Sequence, residues 1–164
     1  MDDPIGYFLT WATYGTWLPG DARGWVEYRR GWQLPDPIRE LEAAAIMTEG
    51  ACRLSAGQRD VVQRQITETC RHRGWHLHAV NCRSNHVHVV VSARDARPKK
   101  IRADLKAWAT RCLKQHARSL ADASRCDARR ENWWAERGSI RFLYGEPSLD
   151  AAIVYVTEYQ DIPR

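Results

Sequence analysis

Ser84-Asn85-His86-Val87-His88-Val89-Val90-Val91 is the stretch on which the reading of this chain turns. Its β-branched residues favour a pleated strand. A strand alternates its faces with period 2, so His86 and His88 point the same way. Upstream, Trp75 to Asn81 alternates in the same manner and Cys82 to Asn85 reads as a turn, so the two runs form a hairpin. Before the hairpin, Ser55 and Gln58 make a capping-box pattern, and Val61, Val62, Ile66 and Thr69/Cys70 recur at helical spacing to about His72, where Gly74 ends the helix. Ile5 to Thr13 reads as a first strand, residues 14–34 as a glycine-rich loop and Pro37 to Met47 as a short helix. After the hairpin, Pro98 opens a helix with Ile101, Leu105, Trp108, Cys112 and Leu113 on one side. Ile140 to Tyr144 reads as a short strand, and Ser148 caps a last helix from Leu149 to about Gln160. The order is strand, helix, strand, strand, helix, strand and one extra helix. That predicts an α+β, ferredoxin-like split βαβ fold with a central antiparallel sheet and an additional C-terminal helix. Without an internal repeat or a dividing linker, residues 1–164 are expected to form one domain, with 14–54 as a loop-rich insertion between the first strand and the first long helix.

The 164 residues suffice for one domain with a core. A net charge of +5 and a pI of about 9.1 favour a polyanionic partner such as nucleic acid. The five cysteines (52, 70, 82, 112, 126) are scattered, with no CxxC pair, which argues against a zinc knuckle or a disulfide framework and fits reduced cytoplasmic thiols. Met1-Asp2-Asp3-Pro4 lacks a signal pattern and no run approaches about 18 apolar residues, so neither export nor a membrane span is expected. A cytoplasmic, nucleoid-associated location follows as the expectation.

Two imidazoles on one face of a stiff strand can share a divalent metal. HxH is short, however, and also reads as two polar positions on a half-exposed strand. Position 90 is Val, which argues against a histidine-triad nucleotide hydrolase. A second HxH, His76 and His78, lies on the other arm. If Asn81 pairs with His86, these two fall on the opposite face with Val87 and Val89, whereas a one-residue slip would gather all four histidines. On the last helix, at about 100° per residue, Leu149, Ala152, Ile153 and Val156 centre one apolar face. Gln160 falls within that face, Tyr155 and Tyr159 flank it one turn apart, and Glu158 points away. Both tyrosines read equally as packing residues. A phenol near a metal-bound phosphate is also a competent nucleophile toward phosphorus. Lys99, Lys100, Arg102, Lys106, Arg111 and Lys114 crowd the long basic helix, as a DNA backbone contact surface or a solvated face. Trp133 and Trp134 read as base-stacking platforms or, preferably, as plugs for the sheet edge. Arg23, Arg29 and Arg30, near Trp25 and Trp32, make the long loop a candidate holder of a DNA hairpin.

Ser84 to Val91 resembles the HUH motif of the single-tyrosine HUH transposases, and among them the REP-associated tyrosine transposases. The resemblance extends to Lys106-Ala107-Trp108-Ala109-Thr110-Arg111, Gly138-Ser139-Ile140-Arg141-Phe142-Leu143, Tyr155-Val156, Tyr7-Phe8-Leu9-Thr10-Trp11 and Gly15-Thr16-Trp17-Leu18, in family order across nearly the whole chain. It implies that His86 and His88 hold Mg2+ or Mn2+ at a scissile phosphate. It also implies that Tyr155 attacks phosphorus, giving a 5′-phosphotyrosine and a free 3′-OH, on single-stranded or hairpin DNA. The family places Gln or Asn one turn after the tyrosine as third ligand. Here position 159 is Tyr, so Gln160 or Glu158 would take that part, with the wheel favouring Gln160. A homodimer is compatible with the resemblance, and the tyrosine helix then serves either subunit. The alternatives are an inactive or domesticated relative that binds structured DNA or RNA, and a metal-dependent nucleotide phosphohydrolase.

Overall fold

Alternation along the His86 strand divides the molecule into two sides. In the computed structural model, which describes residues 2–120 and 129–158, the chain runs β1 (Gly6–Ala12), β2 (Trp25–Glu27), β3 (Gly31–Gln33), α1 (Pro37–Ala45), α2 (Ala56–Arg73), β4 (His76–Cys82), β5 (His86–Ser92), α3 (Pro98–Ser119), β6 (Ser139–Leu143) and α4 (Glu146–Glu158). The main sheet has the order β4-β5-β1-β6, and its neighbours are all antiparallel. This is the split βαβ arrangement expected from the order of elements, with an added C-terminal helix.

One face of the sheet carries Leu9, Trp11, Val87, Val89 and Val91, all essentially buried, under α2 and α3. The helix-spaced Val62, Ile66, Ile101, Leu105, Ala109 and Leu113 complete this core. The Ser55–Gln58 capping box closes both ways, and Gly74, at φ 70, ends α2 in the left-handed conformation that favours glycine. The opposite face carries His86, His88, Val90, Phe8 and Thr10, with Val90 inside a second, smaller core of Ala79, Leu143, Leu149, Ala152 and Val156. Helix α4 packs there, across β4 and β5.

Three features depart from the sequence reading. Asn81 pairs with His88 rather than His86, a slip of two residues that keeps every side chain on its expected face. A β-bulge between Leu77 and Ala79 then reverses the alternation, so His76 pairs with Ser92. His76 and His78 are therefore not on the Val87/Val89 face, and the His78 ring bonds the Ser92 hydroxyl at 2.8 Å. Finally, the segment read as loop contains the small β2–β3 hairpin. Trp133 is buried in the main core and Trp134 bridges to Thr13 at the end of β1, so both serve as packing at the sheet edge. Among the described residues no helix is long and apolar enough to cross a membrane. Cys70, Cys82 and Cys112 are free thiols, and Cys126 lies outside the described residues.

Candidate active site

Strand β5 delivers His86 and His88 to one place because they are two residues apart on a strand with neighbours on both sides. Their ring centroids lie 4.6 Å apart and the planes are nearly perpendicular. Each ring is oriented through Nδ1. The His86 Nδ1–H donates to the Asn85 side-chain oxygen at 2.7 Å, which places the lone pair on Nε2. The His88 Nδ1 shares a 2.8 Å hydrogen bond with the hydroxyl of Thr10, its register partner on β1. Such outer partners set the tautomer and direction of metal-binding imidazoles.

His88 is 7% exposed. Burial, with His86 and Arg83 nearby, pushes its pKa down to about 4. It is therefore neutral at physiological pH, the form that ligates metal. The ring packs at 5.5 Å from Phe8 and 5.8 Å from Tyr155, the latter edge-on. Tyr155 reaches it from α4, and Phe8 lies 5.9 Å from the tyrosine ring. Among the described residues the Tyr155 hydroxyl makes no hydrogen bond. Asn81, which pairs with His88, donates to the Val156 carbonyl at 3.2 Å and ties α4 to the sheet beside Tyr155. Sequence reading missed Thr10 and Asn81. Thr10 stands in the family-like run Tyr7 to Trp11 and Asn81 in the hairpin, but only their register against His88 reveals their part in the site.

The pair fits a divalent metal in donor type, and His88 also in protonation state, but two imidazoles do not complete a ligand set. No group of three or more His, Cys, Asp or Glu side chains comes together among the described residues. The sequence candidate Gln160 lies outside those residues, as does Tyr159. Glu158 is exposed at the end of α4. The second HxH does not join the pair, because its partner Ser92 is four residues along β5 from His88.

The six basic residues of α3 sit on the helix that covers the other face of the sheet. Lys106 is not available to a phosphate. Its ammonium donates to the carbonyls of Ala135 at 2.8 Å and Arg137 at 3.0 Å, and burial and Arg102 push its pKa down to about 8. Lys114 pairs with Glu131 at 2.7 Å, and Lys100 with Asp104 at 3.0 Å. The Arg111 guanidinium lies over Trp108 at 5.2 Å. Lys99 is exposed, and Arg102 is half-buried beside Arg137.

A family profile described as "Transposase IS200 like" matches residues 52–158, which include both histidines and Tyr155. No curated protein matches the chain. Among solved structures, that of a REP-associated tyrosine transposase bound to a REP hairpin superposes with a TM-score of 0.52 at 14% identity, over 95% of this chain and 66% of that one. The crystal structure of a presumed transposase from Deinococcus radiodurans gives a TM-score of 0.48 at 18% identity, over 98% of this chain and 93% of that one. The structural likeness at 14% identity bears on the fold. The profile, spanning well over half of the sequence with the histidine strand and the tyrosine helix inside it, shows that this chain belongs to the IS200-like transposase family.

Proposed function

We propose that the protein is a metal-dependent single-stranded DNA endonuclease and strand transferase acting on hairpin-forming DNA. The observation that carries this reading is the meeting of His86, His88 and Tyr155 on one sheet face, with the phenol ring 5.8 Å from the His88 ring. Membership of a transposase family supports it, and so does the hairpin DNA bound by the structurally similar REP-associated transposase.

His86 and His88 would hold Mg2+ or Mn2+, with Gln160 as the third ligand ahead of Glu158. Bound there, the ion would neutralise charge on a phosphodiester and polarise phosphorus. The protein does the rest. Asn85 and Thr10 hold the two rings in place. Burial keeps His88 unprotonated. Asn81 positions α4, so that Tyr155 presents its oxygen. That oxygen forms a bond to phosphorus as the P–O3′ bond breaks. The phenolic proton leaves, the 3′ oxygen is protonated, and the 5′ end remains on Tyr155. Attack by another 3′-OH reverses the step and joins strands without an external energy source.

The test is cleavage of an end-labelled hairpin with a randomised single-stranded tail. Cleavage is expected with Mn2+, absent in EDTA, and lost in His86→Ala. Cleavage that persists in EDTA or in His86→Ala would overturn the metal-ligand role. Retarded migration on a native gel with no cleavage under any condition would favour a binding-only relative.

A further inference from the structure

The β-bulge at Leu77/Ala79 turns His76 and His78 away from the α2/α3 core and onto the sheet face that α4 covers. A bulge gives up regular pairing locally and re-aims side chains. Here it brings two imidazoles together, with ring centroids 4.4 Å apart, against 4.6 Å for His86 and His88. The planes stand at 62°, so the rings are not stacked on one another. The chemistry at His86, His88 and Tyr155 makes no use of this second pair. Ser92, opposite His76 and bonded to His78, lies four residues along β5 from His88, roughly 13 Å away.

Ser92 fixes the tautomer of His78. Its hydroxyl has one proton and donates it to the Ile5 carbonyl. The same oxygen must then accept from the His78 Nε2–H, at 2.8 Å, which leaves the lone pair on Nδ1. Burial and the neighbouring His76 lower the pKa of His78, so its ring is neutral at physiological pH. His76 is exposed and makes no hydrogen bond among the described residues. Glu146, in the exposed first turn of α4, is near enough for its negative charge to act on His78. A held, neutral imidazole, an accessible second one and a nearby carboxylate together suit a cation.

We propose that His76 and His78 form a second metal site, separate from His86 and His88, which takes a transition ion of the zinc class. Imidazole nitrogen suits zinc, copper and nickel, whereas magnesium favours oxygen ligands, so this site and a magnesium-dependent one would not compete. Water completes the coordination, because no third His, Cys, Asp or Glu joins the pair among the described residues. The hydrogen bond from His78 to Ser92 plays the part of the outer partner that orients a metal-binding imidazole. An ion held by the folded hairpin alone also stabilises the fold by mass action.

The test is calorimetric titration with Zn2+ of the full-length His86→Ala variant, in which the first pair has lost one ligand. One equivalent should bind. Adding His76→Gln, at an exposed position, should abolish that uptake, and adding Ser92→Ala should weaken it by about 10- to 100-fold. A second measurement needs no substitution. In the wild type, Zn2+ should shift the ring proton resonances of His76 and His78 together, and a large excess of Mg2+ should leave them shifted. Equal uptake by His86→Ala and His76→Gln/His86→Ala, or His76 and His78 resonances that stay in place, would overturn the site. Unchanged affinity in Ser92→Ala would overturn the tautomer on which it is built. Cleavage plays no part in these readouts, so they stand apart from the nuclease reading.

Discussion

His88 shows how much of a candidate metal ligand is made by its neighbours. Thr10 bonds its Nδ1, Phe8 and Tyr155 pack on its ring, and burial keeps it neutral. Thr10→Val keeps the shape and deletes the hydroxyl, so Mn2+ affinity should fall by about 10- to 100-fold. Calorimetric titration would show this, and an unchanged affinity would mean that Thr10 does not orient the ring. Lys106 makes the converse point. From the sequence it is one cation among six on a basic helix, but in the structure it ties the 135–137 segment down through main-chain carbonyls. Lys106→Met should cost about 1–3 kcal/mol in denaturant unfolding, because those carbonyls lose their donor. The pH dependence has a definite sign. In the folded protein its pKa is about 8, whereas in the unfolded chain it returns to the ordinary lysine value of 10.5. Between these values the unfolded chain binds the extra proton, so stability attributable to Lys106 rises with pH across that window. The slope should vanish in Lys106→Met, and an identical slope in both proteins would contradict the assignment. Helical spacing identified Lys106 as off the apolar stripe, but could not show that a segment almost thirty residues later covers it.

At the scale of elements, the site is a contact between β5 and α4, and Asn81 is its fastener. The amide reaches the Val156 carbonyl, one residue from Tyr155. Asn81→Ala should leave DNA affinity within about twofold but lower the rate of tyrosine–DNA adduct formation. Asn81→Asp would keep the size and remove the donor, so it should behave like Ala. A loss of binding equal to the loss of adduct would show that Asn81 contributes to the fold at large. Most of these elements are legible in the sequence. The capping box, the β-branched run and Pro98 each fix an end or a period, and the observed bounds of α2, β5 and α3 follow them. The β2–β3 hairpin is not legible. Each strand is only three residues long, and their turn uses Arg29 at φ 69 instead of an Asn-Gly pair. The bulge at Leu77/Ala79 was hidden for a related reason, since alternation in the sequence does not reveal where a partner strand gains a residue. That one residue separates the second histidine pair from its expected face.

Over the whole molecule, the net charge of +5 is unevenly used. Lys100, Lys114, Arg23, Arg30 and Arg39 are engaged in ion pairs, whereas Lys99, Arg102 and Arg137 have no such partner among the described residues. Lys99 and Arg102 stand on α3, and Arg137 lies on the segment before β6 with its guanidinium 3.8 Å from the centre of the Tyr28 ring. Affinity for tailed DNA should therefore fall steeply with salt, and Arg137→Gln should reduce the log–log slope by about 0.7, the share of one single-strand phosphate contact. A slope unaltered by Arg137→Gln would remove that residue from the phosphate path. The sequence carried the total charge and the cations, but their pairing depends on which distant carboxylates the fold brings near.

The account stands or falls on Tyr155 as the nucleophile. The most direct measurement is a denaturing gel of wild type and Tyr155→Phe with labelled, hairpin-tailed single-stranded DNA and Mn2+. The label should remain on the wild-type protein and be absent from Tyr155→Phe, although both retard the DNA on a native gel. An adduct of equal yield in Tyr155→Phe would contradict the account and move the nucleophile elsewhere in the chain.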